Sequence, residues 1–232
     1  MIFRDRADAG RQLARALVDR LPTLADEDPI VLAVPRGGVP VGLEIARQLH
    51  APLDVFVARK LGAPGQEELG IGAVAPDGTR VLDSTAIRML GITPEYIEQV
   101  THRELAELER RMRVFRGDRP PPRLTGRAVV LVDDGLATGV TARAALLALR
   151  RSSPSRLVFA APVCAPESVD QLVQERAADA VICVAAPPRF QGVGIWYADF
   201  SQTSDDEVVE LLREAGVRGE GQGMRGERWN PD

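Results

Sequence analysis

Several residue types are scarce in this chain of 232 residues, and each scarcity argues against a class of protein. Only two cysteines occur, Cys164 and Cys183, and both lie in apolar runs. We expect them to be unpaired core residues in a reducing compartment, which argues against a metal or redox role. The sequence contains no run of 18 apolar residues, and no apolar signal core follows the charged N-terminal residues. We therefore expect a cytoplasmic protein that neither crosses nor binds a membrane.

Lysine is almost absent, since Lys60 is the only lysine among 29 lysines and arginines. The arginines are scattered and the formal net charge is −4. No basic stripe marks a nucleic-acid surface, so we expect no nucleic-acid partner. The lone lysine has two explanations: chance, or a position where a compact ammonium does what a guanidinium cannot.

Short apolar runs alternate with segments of helical periodicity, which predicts a largely parallel α/β sheet. The Asp77-Gly78 pair between two β-like segments predicts a hairpin. A helix is expected from Thr93, as N-cap, to Arg116, and we interpret its apolar stripe as core or as a subunit contact without chemistry. The main predicted strands are Ile30 to Val34, Asp54 to Ala58, Ala128 to Val132, Leu157 to Pro162 and Ala180 to Ala185.

Length and composition fit a single domain rather than two. We assign residues 1–215 to this domain, with a core at about 29–185 and a small hood that residues at about 186–203 form together with the N-terminal region. The last helix is predicted to end near Ala215. The glycine-rich stretch 216–232 is predicted to be disordered.

The strongest signal is the segment from Val129 to Thr141, which reads VVLVDDGLATGVT. A buried strand ends in Asp133 and Asp134, a glycine-containing loop follows, and a helix then begins. Ligands of parallel sheets lie at the carboxyl ends of the strands. Backbone N–H groups of residues 136 to 141 would form an anion site at the helix N-terminus, with the hydroxyls of Thr138 and Thr141 as further donors. The two acids could accept hydrogen bonds from vicinal hydroxyls of the same ligand.

This segment resembles the ribose-phosphate motif of type I phosphoribosyltransferases, which has four apolar residues, two acids and a small-residue loop rich in Thr and Gly. Ala137 departs from the family pattern, which usually has a hydroxyl there, and the loss is expected to weaken affinity. The competing interpretation is a strand-to-helix turn without a ligand. The resemblance implies a three-layer α/β fold with a mostly parallel six-stranded sheet, whose third strand is antiparallel, plus a small hood and a long inserted helix.

Two further segments are similar to parts of the same family. The turn Val34-Pro35-Arg36-Gly37-Gly38 resembles the pyrophosphate loop, although Arg-Gly-Gly alone would indicate only a turn. The segment from Val57 to Gly65 resembles the strand end and the start of the mobile catalytic loop in the adenine and orotate branches, and Lys60 falls at that family's basic position.

The segment from Pro188 to Phe200 concentrates aromatic residues in a chain that is only 4% aromatic. It is loosely similar to the hood of the 6-oxopurine branch. This similarity implies that Phe190 and Trp196 stack on a base and that Asp199 contacts its edge. A small satellite core under the loop explains the same residues equally well.

The resemblance implies an enzyme of nucleotide metabolism that transfers a phosphoribosyl group from 5-phosphoribosyl-1-pyrophosphate to a nitrogenous base and releases pyrophosphate. Mg²⁺ is the implied cofactor, held indirectly by Asp133 and Asp134 through ribose hydroxyls or water. Arg36, Gly37 and Gly38 would bind pyrophosphate, and Lys60 with Arg59 would meet the leaving-group charge. The implied contacts with the 5′-phosphate come from Thr138, Gly139, Val140 and Thr141. The other implied ligand-binding residues of this loop are Gly135, Leu136 and Ala137.

Two alternatives stay open at this stage. The fold also serves regulators that bind the sugar phosphate without turning it over, and Ala137 favours this class slightly. A scaffold that assembles through the helix from Thr93 to Arg116 would not need the site residues at all. In either enzymatic or regulatory form we expect a homo-oligomer, with a dimer favoured.

Overall fold

The computed structural model describes residues 3–117 and 119–220 of the chain. Five parallel strands form the main sheet in the order β2-β1-β6-β7-β8. Their bounds are β1 Ile30–Ala33, β2 Leu53–Val55, β6 Ala128–Val132, β7 Arg156–Val163 and β8 Ala180–Ala185. Strands β1 and β6 are buried along their whole length, because helices cover both faces of the sheet.

The two faces of the sheet can be read from alternate residues of β1. Val31 and Ala33 pack with one group of helices, and Ile30 and Leu32 pack with the other. On the first face lie α1 Arg6–Arg20, α2 Gly38–Leu49, α4 Pro94–Arg116 and α7 Asp205–Glu220. On the second face lie α5 Val140–Arg151 and α6 Pro166–Gln174. The predicted three-layer α/β class is confirmed.

The predicted six-stranded sheet with one antiparallel strand is wrong in detail. A separate three-stranded antiparallel sheet contains β3 Arg59–Ala63, β4 Gln66–Val74 and β5 Arg80–Leu82. The predicted second strand ends at Val55, and the chain leaves the main sheet before β3 begins. β3 then pairs with β4 rather than with the edge of β2.

The long helix and the hairpin that precedes it agree with the sequence prediction. The Thr93 side chain accepts a hydrogen bond from the Tyr96 N–H, and α4 ends at Arg116 as predicted. The hairpin between β4 and β5 turns at Asp77-Gly78, where Gly78 has a φ of +80°. A short helix, α3 Ser84–Met89, connects this small sheet to α4. The stripe of α4 contributes to two apolar clusters, so its core interpretation is confirmed.

Two predictions about the chain termini and cysteines need correction. α7 continues to Glu220, so its predicted end near Ala215 is wrong, and the rest of the predicted tail, 221–232, lies outside the described residues.

Cys164 is fully buried and Cys183 partly buried, as expected for core residues, but the two form a disulfide. The expectation of unpaired thiols is wrong because β7 and β8 are neighbours, which brings the two Cα atoms within 6.3 Å of each other.

The N-terminal residues pair with the segment that follows β8. Phe3 N–H donates to the Trp196 carbonyl at 2.7 Å, and the Asp199 N–H donates to the Arg4 carbonyl at 2.8 Å. This contact places the start of α1 beside the carboxyl edge of the main sheet. Within the described residues, no helix is long and apolar enough to cross a membrane.

Candidate active site

Two loops meet where the neighbouring strands β1 and β6 end. Strand β1 continues into Val34-Pro35-Arg36-Gly37 and then α2, while β6 continues into Asp133, Asp134 and the loop that precedes α5. Because the two strands are parallel and adjacent, both loops leave the same edge of the sheet. The sequence prediction that these two segments share one site is consistent with this topology.

Glycine is required where the two loops touch. A Cβ atom on Gly37 would overlap the Asp134 carboxylate, and one on Gly38 would lie 2.7 Å from the Val132 carbonyl oxygen. Any side chain at these positions would push the first loop away from the acids. The N–H groups of Arg36 and Gly37 donate to no atom of the described residues, so they are available to an anion.

The loop before α5 is held by backbone hydrogen bonds at Leu136 but not at the residues that follow. Leu136 forms a β-bridge with Cys164: its N–H donates to the Val163 carbonyl at 2.8 Å, and its carbonyl accepts from the Ala165 N–H at 2.7 Å. The predicted anion site over residues 136 to 141 therefore loses its first donor. The N–H groups of residues 137 to 142 donate to no atom in the described ranges, and they lead into the N-terminus of α5. Gly139 allows this turn with a φ of +71°.

The two acids at the end of β6 sit in a poorly solvated position. Burial, together with the charge of Asp134, raises the pKa of Asp133 well above its ordinary value, although the Asp134 N–H donates to the Asp133 Oδ1 at 2.8 Å. Burial likewise raises the pKa of Asp134, and a nearby guanidinium opposes that rise. A carboxylate pair of this kind is costly to leave without a compensating cation.

Arg6 supplies part of that compensation, and sequence reasoning missed it. Its Nε lies 2.8 Å from the Asp134 Oδ2, its Nη1 donates to the Ser201 carbonyl at 2.6 Å, and its guanidinium carbon lies 4.0 Å from the centre of the Phe200 ring. The side chains of Arg6 and Asp134 are only 12% and 17% exposed. One weak signal was present in the sequence: Arg6 is the first residue of α1, where the helix dipole disfavours a cation.

The segment after β8 contacts the acid pair through Tyr197. The Tyr197 hydroxyl donates to the Asp134 carbonyl at 2.6 Å, and its burial raises the pKa of this phenol. Phe190 and Trp196 are partly buried against the cluster that contains Phe3 and Tyr197, which fits the satellite-core interpretation of these two residues. Asp199 is exposed, and the Ser201 N–H donates to it at 2.9 Å, which lowers its pKa.

Lys60 and Arg59 lie on β3 and not on a loop. Lys60 pairs with Ala73 in the antiparallel sheet, so the interpretation of this stretch as the start of a mobile loop is wrong. The Arg59 Nε and Nη2 both donate to the Glu104 Oε2, at 2.9 and 2.6 Å, and Glu104 is buried on α4. The pair holds β3 against α4, so Arg59 has a packing role that the sequence did not indicate.

Arg36 reaches across to α7, where its Nη1 lies 3.5 Å from the Asp205 Oδ1. Both side chains are substantially exposed, so this contact is weak and can exchange for a ligand anion. A cavity of about 410 Å³ occurs elsewhere, between Phe56, Met112 and the prolines at 121 and 122. Its lining is mainly apolar and it contains none of the predicted site residues.

Comparison with known proteins assigns the class. The chain matches the family described as phosphoribosyl transferase domain over residues 4–183, and it therefore belongs to that family.

Individual relatives agree with this assignment. The protein named "Putative phosphoribosyl transferase Rv0571c" of Mycobacterium tuberculosis H37Rv is 46% identical over 216 residues. The same values hold for "Putative phosphoribosyl transferase MT0597" of strain CDC 1551. The match covers 92% of this chain but 47% of those proteins, so the chain spans about half the length of these curated relatives. The crystal structure of TT1426 from Thermus thermophilus is 42% identical with a TM-score of 0.76, covering 92% of this chain and 99% of that one.

Proposed function

We propose that this chain is a phosphoribosyltransferase that binds 5-phosphoribosyl-1-pyrophosphate with Mg²⁺, transfers the phosphoribosyl group to a nitrogenous base and releases pyrophosphate. The observation that carries the proposal is the contact between the two loops, in which Gly37 packs against the Asp134 carboxylate. N–H groups without a partner in the described part of the chain lie on both sides of an acid pair. A ligand that matches this order has an anion at each end and hydroxyls between them.

Each part of the ligand has a matching group. The N–H groups of residues 137 to 142, with the hydroxyls of Thr138 and Thr141, would hold the 5′-phosphate at the N-terminus of α5. Asp133 and Asp134 would accept hydrogen bonds from the ribose hydroxyls. Arg36 and the N–H groups at the start of α2 would hold the pyrophosphate.

The acid pair also fits Mg²⁺. The described residues contain no cluster of three or more side chains that could hold a metal on their own. Mg²⁺ is usually bound through one or two carboxylates plus substrate phosphates and water, and Asp133 with Asp134 provides that number. The raised pKa of both acids indicates a position where added positive charge is favourable. When bound, the ion would neutralise pyrophosphate charge.

The remaining residues contribute electrostatics to a displacement at the ribose anomeric carbon. The bond from this carbon to the pyrophosphate oxygen breaks as the bond to the base nitrogen forms, and negative charge collects on the leaving group. Arg36 and Lys60 are proposed to stabilise that charge, and the acids are proposed to stabilise the cationic sugar. Arg59 would contribute indirectly, by holding the strand that carries Lys60, since its own guanidinium is bound to Glu104.

The covering segment is proposed to form the acceptor side of the site. Asp199 is exposed and ionised, so it can accept hydrogen bonds from the edge of a base. Phe190 and Trp196 keep part of their surface exposed and could stack on it.

One observation favours a second function, a regulator that binds the same sugar phosphate without turnover. Asp134 already has a cationic partner in Arg6, which reduces its demand for a metal ion. A chain of this kind would bind phosphoribosyl pyrophosphate and release no pyrophosphate from it.

One experiment separates the two functions. Purines, pyrimidines and small nitrogen heterocycles are screened for pyrophosphate release from phosphoribosyl pyrophosphate with Mg²⁺, and calorimetry measures binding of the same ligand without a base. Release with at least one base, abolished in Asp133→Asn/Asp134→Asn, supports the enzyme. Binding without release for every base supports the regulator, and absence of binding refutes both.

A further inference from the structure

Ser168, in the first turn of α6, makes a contact that nothing in the sequence motif accounts for. Its side chain is buried, with the residue only 7% exposed, and its hydroxyl donates to the carbonyl oxygen of Ala137. The hydroxyl is therefore directed at the loop before α5 and not at a free N–H of its own helix, which has Ala165 at the N-cap. A buried hydroxyl bound to a loop carbonyl fixes that carbonyl's direction.

The direction of the Ala137 carbonyl determines the direction of the next N–H. A trans peptide is a rigid plane in which the C=O of one residue and the N–H of the following residue point in opposite directions. Holding the Ala137 carbonyl against α6 therefore turns the Thr138 N–H away from α6. This N–H is one of the donors that have no partner among the described residues.

The neighbouring geometry keeps the loop within reach of Ser168. A Cβ atom on Gly139 would lie 3.4 Å from the Ser168 Cβ and 3.6 Å from its Oγ, so the loop passes at van der Waals distance. The Leu136 N–H is bound to the last residue of β7, Val163, and the Leu136 carbonyl to Ala165, just before α6. The hydrogen bond from Ser168 holds the loop one residue further on, at the peptide that carries the Thr138 N–H.

We propose that Ser168 is a positioning residue for a phosphate group, because it orients the peptide between Ala137 and Thr138 so that the Thr138 N–H faces the anion. The inference rests on the proposed function, in which residues 137 to 142 bind the 5′-phosphate. Loss of the hydroxyl leaves this peptide free to rotate and removes one aligned donor from the phosphate site. Among the described residues Ser168 forms no hydrogen bond with the pyrophosphate loop after β1, so we expect that loop to be unaffected.

The test compares Ser168→Ala with Thr101→Val, which removes another buried hydroxyl that is 2.7 Å from a backbone carbonyl, that of Ile97 within α4. Calorimetry measures two probes on each protein: ribose 5-phosphate and inorganic pyrophosphate with Mg²⁺. We expect Ser168→Ala to weaken ribose 5-phosphate about tenfold without changing pyrophosphate binding, and Thr101→Val to change neither, even if both variants lose similar thermal stability. Ser168→Thr keeps a donor and should retain most of the affinity.

The outcomes separate this inference from the proposed function. Equal affinity of Ser168→Ala and the unmodified chain for ribose 5-phosphate would overturn the positioning role, and so would an equal loss for both probes. If the unmodified chain binds neither probe, the proposed function itself fails. In an amide NMR spectrum, ribose 5-phosphate should shift the Thr138 N–H signal strongly in the unmodified chain and weakly in Ser168→Ala.

Discussion

Removing the cationic partner of Asp134 should lower stability, and Arg6→Met tests this. Methionine keeps much of the apolar stem and its contact with Phe200 while removing the charge. At about 4 Å and an effective dielectric constant near 20, an ion pair is attracted by about 4 kcal/mol, and removing one partner of a buried pair typically costs about 3–5 kcal/mol. Because both side chains keep some exposure, we expect a loss of about 3 kcal/mol in the free energy of unfolding.

The assay is urea unfolding at pH 7, with thermal melting as a second probe. For a domain of this size, the expected loss lowers Tm by roughly 6–12 °C. Arg4→Met is the matched control, since Arg4 lies two residues away and pairs with Asp8 at 3.3 Å but is 77% exposed. Its Tm should change by less than about 2 °C.

A double-mutant cycle isolates the charge pair from other effects of the substitution. In an Asp134→Asn background the carboxylate that pairs with Arg6 is gone, so Arg6→Met should then cost only about 1 kcal/mol. The same loss in both backgrounds would show that Arg6 acts through packing and that the pair contributes nothing specific.

Three further predictions concern the site. Asp133→Asn/Asp134→Asn should keep the fold and lose Mg²⁺-dependent binding of phosphoribosyl pyrophosphate by calorimetry; unchanged affinity would contradict the assignment. Both acids have a folded-state pKa above the ordinary 3.8, so the native state binds more protons than the unfolded chain between these values, and their contribution to the free energy of unfolding falls as pH rises through that window. Urea titrations from pH 4 to 7 should show this loss in the unmodified chain, and a double variant with the same pH slope would refute it. Lys60→Ala should lower turnover about a hundredfold, or roughly 3 kcal/mol, with little change in Tm, and Lys60→Arg should also be impaired; full activity of Lys60→Ala would show that the lone lysine is an accident of composition.

The stability prediction for the acids has a functional meaning. Asp134 is paired with Arg6, whereas Asp133 forms no ion pair within the described residues and its pKa is raised by burial and by the charge of Asp134. Asp133→Asn alone should therefore raise stability at neutral pH while it weakens ligand binding. Such a trade-off is expected where residues are placed for a ligand and not for the fold.

Features that depend on neighbouring residues could be predicted from the sequence. The apolar runs of β1 and β6, the Thr93 cap of α4 and the Asp77-Gly78 turn each depend on a few consecutive residues. Burial on both faces, capping and turn geometry are local requirements. The order of strand, acid pair, loop and helix around Asp133 is equally local, which is why the sequence alone places this acid at the end of a strand.

Contacts between distant groups follow from the tertiary structure and could not be predicted in this way. Arg6 and Asp134 are 128 positions apart, and Cys164 and Cys183 come together only because β7 and β8 are adjacent. The sequence predicts Lys60 at the end of a strand, beside a loop, but this residue lies within a strand of a second sheet, because β3 pairs with β4 and the pair of Arg59 with Glu104 holds β3 against α4. Ser168 meets Ala137 through the way α6 packs beside the loop. Contacts of this kind depend on sheet order and helix packing, which minimise exposed apolar surface over the whole domain and leave no pattern in any short stretch of the chain.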